Sequence, residues 1–280
     1  MTTPSALSPE QSPEQPCDGS LDTDVEQERA QEPAPTQAET PDTAPAGPDA
    51  GGRTETELRT ALGLGPVDHV LPRAVRIRGW IATGVVGVIA SLLRLIGLGH
   101  PKTLMFDEIY YVKDAYALWH LGYEGNWANN SDAAFASGDF SGLSTDAAYV
   151  VHPQLGKWLI GAGMEVFGPS SSFGWRVMPA IAGILTVILL TRLTMRLTRS
   201  PLLAGLAGLF LAIDGVALTE SRIGLLDVFI GFFATLSLYC LVRDREWSRA
   251  RLARRMAGTK PGARAPHATI RPWLLATGVT

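Results

Sequence analysis

Ionisable residues of the kinds that catalyse group transfer are gathered between positions 107 and 227. Asp107 and Glu108 are adjacent acids, and His152 and Lys157 form a second small group. Further along the chain come Arg176, Asp214, Glu220, Arg222 and Asp227. A carboxylate can take the proton from an attacking hydroxyl, and Lys or Arg can hold a phosphodiester as it becomes a leaving group. These residue types suit transfer of a phosphate-linked group to a hydroxyl.

Long apolar segments predict that these residues lie at a membrane. A membrane-spanning helix needs about 20 mostly apolar residues, and the candidates are 79–98, 173–193, 201–218 and 223–242. A fifth apolar run starts at 272 and is too short to cross a bilayer, which predicts a truncated polypeptide. The expected fold class is an all-α membrane protein, with a transmembrane domain over 73–280 and a long outer loop at 99–172.

The basic residues give these spans an orientation. They form one cluster before the first span, a second between the second and third, and a third after the fourth: Arg73, Arg76, Arg78; Arg192, Arg196, Arg199; and 243–255 with Lys260, Arg264 and Arg271. Arg and Lys favour the cytoplasmic side, and all three clusters share one side if the N-terminus is cytoplasmic. We therefore expect a multi-pass protein of the cell membrane, with loop 99–172 and the connection 215–222 facing outward.

In this topology the candidate residues named above, from Asp107 to Asp227, all lie near the outer leaflet. Charges at membrane depth are costly and usually face a polar interior or a partner. The pattern therefore predicts a polar site at the outer edge of the bilayer, which would suit a substrate with a sugar phosphate head and a long lipid tail. Within the outer loop, EIYYVKDAYALWHLGYE and LGKWLIGAGMEVFG suit interfacial helices, and the Gly/Ser/Asn-rich stretch between them is expected to be a loop.

The N-terminal region differs from the rest of the chain. Residues 1–52 contain eleven Asp or Glu, one Arg, nine Pro and no aromatic residue. Such a segment buries too little apolar surface to fold, so 1–72 is predicted to be a disordered acidic cytoplasmic tail ending in a basic juxtamembrane segment. It does not resemble a signal peptide. Cys17 and Cys240 lie in different environments, so neither a disulfide framework nor a structural metal site is expected.

Four motifs together resemble those of the protein O-mannosyltransferases, and of the actinobacterial branch in particular. In chain order they are HPKTLMFDEIYYVKDA, HPQLGKWL, FGWRVMPAIAGILTVILL and TESRIGLLDVFIGFF, which cover about 100–242. The Asp-Glu pair alone would be uninformative. Gln154 departs from the pattern, since many family members have a second proline there.

The resemblance implies a GT-C glycosyltransferase fold and inverting transfer of mannose from polyprenyl phosphate mannose to Ser or Thr of exported proteins. By the family pattern, Asp107 is the candidate general base and Glu108 positions the acceptor or the sugar. His152 and Lys157 match the HPxLxK motif, and Arg176 matches an arginine expected near the donor phosphate.

Arg222 and Asp227 complete the expected donor-binding and phosphate-binding set. The expected partners are the membrane lipid carrier and exported polypeptides delivered by the Sec translocon, with no nucleic acid. No cofactor is certain, although the acids would permit a divalent cation. Family members are roughly twice as long, so the chain would correspond to the N-terminal portion of such an enzyme.

Each candidate residue also has a purely structural explanation. Asp107 and Glu108 could begin an interfacial helix, where acids favour the helix dipole. His152 could shape a turn before a proline, and Lys157 could extend from an interfacial helix toward water. Arg176 could instead form a structural ion pair with Asp227.

Other polar and aromatic residues are expected to be structural. Asp214 and Glu220 belong to this group, and Arg94 is expected to extend to the outer interface. Four aromatic residues are expected to anchor the chain at the interface: Tyr110, Tyr111, Trp119 and Tyr123.

Two other functions remain open from the sequence. One is a related GT-C enzyme, such as an arabinosyl- or aminoarabinosyl-transferase that modifies a glycolipid. The other is a non-catalytic membrane subunit, transporter or fragment. If the chain were a transporter, charged residues would be expected along the whole depth of the spans, whereas the candidate residues here are expected near one leaflet.

Overall fold

The computed structural model describes residues 53–63, 71–257 and 270–279. The elements, in chain order, are α1 (Glu55–Ala61), α2 (Arg73–Leu95), α3 (Glu108–Leu121), β1 (Gly125–Trp127), α4 (Asp132–Ser137), β2 (Leu143–Ala147), α5 (Leu155–Phe167), α6 (Ser172–Thr198), α7 (Pro201–Ile213), α8 (Gly215–Glu220), α9 (Asp227–Met256) and α10 (Pro272–Val279). The fold is mainly helical, as predicted. The region 1–52, for which the sequence predicts disorder, lies outside the described residues.

Helix α1 falls inside the predicted 1–72 tail and is a departure from that prediction. Thr54 and Glu57 form a capping box, in which the Thr54 hydroxyl accepts from the Glu57 N–H at 3.3 Å and the Glu57 carboxylate accepts from the Thr54 N–H at 2.9 Å. This arrangement satisfies two N-terminal donors of the helix. Local capping and contact with α9 thus order a segment that charge composition alone assigned to the tail.

Helices α2, α6 and α7 pack against one another and form the apolar centre of the fold. Small residues allow the close approach. A Cβ atom on Gly208 of α7 would lie 2.0 Å from the Thr191 hydroxyl oxygen of α6, and one on Gly87 of α2 would lie 3.4 Å from Ile188. Close backbone contact through small residues is the usual basis of helix association in membranes.

Two of the described helices, α2 and α6, are long and apolar enough to cross a membrane. Only 28% and 44% of their most apolar windows are buried inside the protein, and α2 exposes large apolar side chains such as Trp80 and Val88. An apolar surface of this extent needs a covering, which lipid would supply. These helices correspond to the predicted spans 79–98 and 173–193, although α2 ends at Leu95.

The other two predicted spans differ from expectation. The segment 201–218 is divided, because α7 ends at Ile213 and Asp214 caps the separate short helix α8 by accepting from the Ala217 N–H at 2.8 Å. The segment 223–242 contributes only the first half of α9, which begins at Asp227 and continues through a charged second half. Neither α7 nor α9 satisfies the length and composition of a membrane span.

The predicted outer loop folds into a cap of several elements. Helices α3 and α5 confirm that the two segments predicted to be helical are helices, and they pack on each other. Their position at the membrane interface stays a prediction. The stretch between them, predicted to be a loop, instead contains α4 and an antiparallel hairpin of β1 and β2. An aromatic cluster around Phe135, which contacts Trp127, Phe140 and Trp175, holds this cap together.

At the C-terminal end of α6, which is the end away from the cap, the charged half of α9 packs with α1 and α10. Arg271, just before α10, pairs with the buried Asp244 of α9. Arg243 lies 4.7 Å from the ring centre of Trp273. The apolar run from 272, predicted to start a fifth span, therefore lies against a polar part of α9.

Candidate active site

The cap contains a cavity of about 740 Å³ that opens to the surface and lies between α3, the hairpin and the N-terminal end of α5. Three residues predicted to do chemistry line it: Asp107, His152 and Lys157. They lie 45 and 50 residues apart in sequence, from Asp107 to His152 and to Lys157. The packing of α3 on α5 is what brings them to one site.

Asp107 is the predicted acid that remains open to the cavity. It precedes the first turn of α3 and is half-buried, and its side chain makes no capping hydrogen bond. The preceding residue, Phe106, has a left-handed backbone with φ of 50°. Glu108, the next residue, is buried, so the two adjacent acids have different surroundings.

Glu108 is fully buried and forms a two-pronged ion pair with Arg176 of α6. The Arg176 Nε and Nη2 atoms lie 2.7 Å from the two carboxylate oxygens. The same carboxylate accepts from the N–H groups of Gly224 and Met105, both at 2.8 Å. With four donors around it, Glu108 joins the start of α3 to α6 and to the segment before α9.

Arg176 is equally buried, with 0% of its surface exposed. Besides Glu108, it donates to the carbonyls of Pro101 and Thr103 at 2.8 and 3.0 Å, and more weakly to that of Leu98. The structure therefore places Arg176 away from the cavity and fully engaged within the protein, instead of exposing it as a phosphate ligand. The suggested pairing of Arg176 with Asp227 is wrong, because its partner is Glu108.

Lys157 lies at the floor of the cavity between two acids. Its Nζ atom is 2.9 Å from both the Asp114 carboxylate of α3 and the Glu124 carboxylate, and Lys157 is 1% exposed. It does not extend to water, as one interpretation of the sequence proposed. Burial raises the pKa of the Asp114 carboxyl, while the hydrogen bond and charge of Lys157 oppose that rise.

A second, more apolar cavity of about 370 Å³ adjoins the first and runs along α9. Tyr111 and His152 line both cavities, and Asp227 lines the second with Phe229 and Phe233. The Tyr111 and His152 rings meet edge to face, with centres 5.5 Å apart. Tyr111 and His152 thus lie where the first cavity, which we call the polar cavity or polar chamber, meets the second, which we call the apolar groove.

Tyr111 lines both cavities, although the sequence predicted that it would anchor the chain at the membrane interface. Burial, followed by the negative charges of Asp107, Asp227 and Asp114, raises its pKa. The phenol thus stays protonated at neutral pH and can act as a hydrogen-bond donor. Asp107, Tyr111 and Asp114 follow a helical spacing of four and then three residues, and this periodicity could have placed them on one face of α3.

The remaining predicted residues lie elsewhere. Arg222 donates to the carbonyls of Leu93 and Ile96, the latter at 2.9 Å, and so caps the C-terminal end of α2. It is in neither of the two cavities, so the phosphate-binding assignment of Arg222 has no support from the structure. Arg94 is buried and donates to the Ala212 carbonyl at 3.2 Å, which corrects the expectation that it extends to the interface.

Among the described residues, no group of three or more His, Cys, Asp or Glu side chains is arranged to hold a metal ion. Several acids in and near the cavity are already paired with a cation: Asp114 and Glu124 contact Lys157, and the buried Glu108 contacts Arg176. The divalent cation that the sequence would permit stays an untested expectation.

Comparison with known proteins adds an independent observation. The family model of dolichyl-phosphate-mannose-protein mannosyltransferases matches residues 84–259. A polyprenol-phosphate-mannose–protein mannosyltransferase of Mycolicibacterium smegmatis is 33% identical over 226 residues, which is 77% of this chain and 38% of that protein. Proteins of the same name are 34% identical in Mycobacterium tuberculosis, with the same coverage, and 35% identical in Corynebacterium glutamicum over 60% of this chain and 31% of that protein.

No solved structure matches the chain. The chain spans less than two fifths of the length of these curated relatives. The matched region contains both cavities and every predicted site residue. On this evidence the chain belongs to the dolichyl-phosphate-mannose-protein mannosyltransferase family.

Proposed function

We propose that this chain takes part in inverting transfer of mannose from polyprenyl phosphate mannose to a Ser or Thr hydroxyl of an exported polypeptide. The observation that carries the proposal is the position of Asp107. Its carboxylate lines the polar cavity beside an apolar groove, within the region matched to the protein mannosyltransferases. The names of the relatives supply the donor and the protein acceptor.

In the proposed reaction, Asp107 accepts the proton of the acceptor hydroxyl. The freed oxygen attacks the anomeric carbon of mannose, and the bond from that carbon to the phosphate oxygen breaks. Polyprenyl phosphate leaves with the bonding electrons, and attack from the opposite face inverts the anomeric centre. General-base assistance of this kind contributes about 10²–10⁴-fold to a rate.

His152 is the proposed contact to the donor phosphate. It is exposed and faces both cavities, so it would meet the phosphate where the polar chamber joins the groove. Asp227 is an exposed acid that lines the groove, and it would repel phosphate. We assign it a hydrogen bond to a hydroxyl of the sugar.

Glu108, Lys157 and Arg176 act as positioning residues in this proposal. Direct phosphate binding by Lys157 or Arg176 would require breaking a buried ion pair, which leaves an uncompensated charge and costs about 3–5 kcal/mol. Their contacts instead fix α3, and with it Asp107 and Tyr111.

We further propose that the cap lies on the extracytoplasmic side and the N-terminus in the cytoplasm. The basic side chains at the opposite end of α6 and in the second half of α9 support this orientation, because Arg-rich segments favour the cytoplasmic side. Polypeptides leaving the Sec translocon would then meet the cavity directly.

The test is transfer of mannose from polyprenyl phosphate mannose to a Ser/Thr-rich peptide by membranes that contain the protein. Asp107→Asn is expected to lower the rate by at least about 100-fold. The matched control is Asp139→Asn, which changes an exposed acid outside both cavities. Wild-type turnover by Asp107→Asn would refute the base assignment, and transfer to a glycolipid but not to the peptide would refute the acceptor assignment.

A further inference from the structure

A basic cleft of about 350 Å³ lies at the end of α6 that is far from the candidate active site. Helix α6 has 27 residues, and Arg176 lies near its first turn. At a rise of about 1.5 Å per residue, such a helix is about 40 Å long. The cleft is therefore separated from the candidate active site by about the thickness of a bilayer. Its charged lining comes from three elements: Arg59, Arg196, Arg199, Arg245, Glu246 and Arg249.

We propose that this basic cleft binds the phosphate head group of an anionic phospholipid in the leaflet opposite the candidate active site. Five arginines stand against one glutamate in the lining. Guanidinium groups match phosphate oxygens with paired N–H donors. Basic pockets between helices at a membrane surface suit anionic lipid head groups.

An ion pair and a hydrogen bond between helices hold the sides of the cleft in place. Arg196 lies 2.7 Å from Glu246, which ties the end of α6 to α9. Arg249 donates to the Leu62 carbonyl at 2.7 Å, which holds the end of α1 on α9. These contacts involve Arg196 and Arg249 and do not involve Arg199 or Arg245.

Arg199 and Arg245 are the side chains best placed for a ligand. Both are exposed, and they approach the cleft from different helices. Arg199 takes a left-handed backbone at the C-terminal end of α6, with φ of 57° and its N–H donating to the Met195 carbonyl. That turn ends the helix at the edge of the cleft.

Apolar residues beside the cleft favour a lipid over free phosphate or an acidic peptide. Leu197 and Val242 line the cleft together with the arginines. Leu197 is 60% exposed, and Leu238 and Leu241 of α9 are 55% and 42% exposed. A head group in the cleft would place its acyl chains against these leucines, and neither free phosphate nor a soluble acidic segment would use them.

The inference does not depend on mannosyl transfer, because it needs only the membrane position of α6. The experiment is native mass spectrometry of the full-length protein released from micelles with phosphatidylglycerol or phosphatidylcholine. We expect retention of phosphatidylglycerol at least about tenfold above that of phosphatidylcholine. We expect Arg199→Gln/Arg245→Gln to remove most of that preference, because basic residues near a membrane surface attract anionic head groups.

Arg254→Gln/Arg255→Gln is the matched control, because it removes two exposed arginines of α9 that do not line the cleft. It should leave the preference within about twofold of wild type. Equal loss in both double variants would overturn the proposal, since the effect would then come from general surface charge. Loss of the lipid on adding inorganic phosphate at millimolar concentration would also overturn it. The proposal would also be overturned if the protein bound a synthetic peptide of residues 1–52 and retained no phosphatidylglycerol, because the cleft would then select an acidic peptide instead of a lipid.

Discussion

The two ends of helix α6 use arginine in opposite ways. Near the start of α6, Arg176 is fully buried and surrounded by one carboxylate and three carbonyls. Near its end, Arg196 is partly exposed, and Arg199 is exposed in an open cleft. Arg176 fixes the geometry of its surroundings and Arg196 pairs with Glu246, while Arg199 leaves its charge available for a ligand.

Burial and pairing distinguish the charged residues that hold this fold together from those that can act on a ligand. A charge that is buried and fully paired in the described structure holds elements in place, and a charge open to a cavity can act on a ligand. The same rule divides the adjacent acids Asp107 and Glu108. Glu108 accepts from Arg176 and two backbone N–H groups, while Asp107 faces the cavity.

The largest expected effect is loss of stability on removing Glu108. Glu108→Ala leaves the buried Arg176 without its carboxylate, which should lower the free energy of unfolding by about 3–5 kcal/mol. Denaturant unfolding of the micelle-solubilised protein, followed by tryptophan fluorescence, measures this. The double variant Glu108→Gln/Arg176→Met should recover part of the loss, because no unpaired charge remains. A change below about 1 kcal/mol in the single variant would show that the pair does not hold the cap to α6.

A somewhat smaller and pH-dependent loss is expected for Lys157→Met. The variant leaves Asp114 and Glu124 facing each other without the cation between them, and about 2–4 kcal/mol should be lost at neutral pH.

The sign of the pH dependence follows from Asp114. Burial raises its pKa above the unfolded value, and loss of Lys157 removes the interactions that oppose this rise. The folded state then binds a proton more readily than the unfolded state, so the variant should become more stable, relative to wild type, as pH falls through the raised pKa. Unfolding curves at a series of pH values test this, and a defect that is constant or grows toward acid pH would contradict the assignment.

The smallest effect is expected at the other end of α6. Arg196 and Glu246 are 2.7 Å apart, but their side chains are 22% and 39% exposed. Glu246→Ala should therefore change the free energy of unfolding by about 1 kcal/mol or less. The same unfolding measurement applies, and a loss as large as that of Glu108→Ala would remove the contrast between the two ends.

The sequence predicted the composition of the site better than its contacts. Motif order placed Asp107, His152 and Lys157 in one outer region, and the structure brings them to one cavity. The partner of each charge could not be predicted, because Glu108 and Arg176 are 68 residues apart and meet only because α3 and α6 both pack against α5. The contacts of Arg222 could not be predicted for the same reason, since its partners are backbone carbonyls at the end of α2.

The fold shows a similar division. Apolar length correctly located α2 and α6, and the aromatic and charged mixture located α3 and α5. The break between α7 and α8 had a local signal, because Asp214 is followed by Gly215, a pair that favours a turn and a helix cap. The hairpin had no local signal of comparable strength, since β1 has only three residues and β2 only five, and their register is irregular.

Cysteine labelling in intact cells tests the orientation of the two ends most directly. Tyr149 is 88% exposed at the rim of the polar cavity, and Arg254 is exposed in the charged half of α9. In a Cys17→Ser background, Tyr149→Cys should react with a membrane-impermeant maleimide added outside, and Arg254→Cys should react only after permeabilisation. Labelling of Arg254→Cys but not Tyr149→Cys in intact cells would place Asp107 in the cytoplasm and contradict the account.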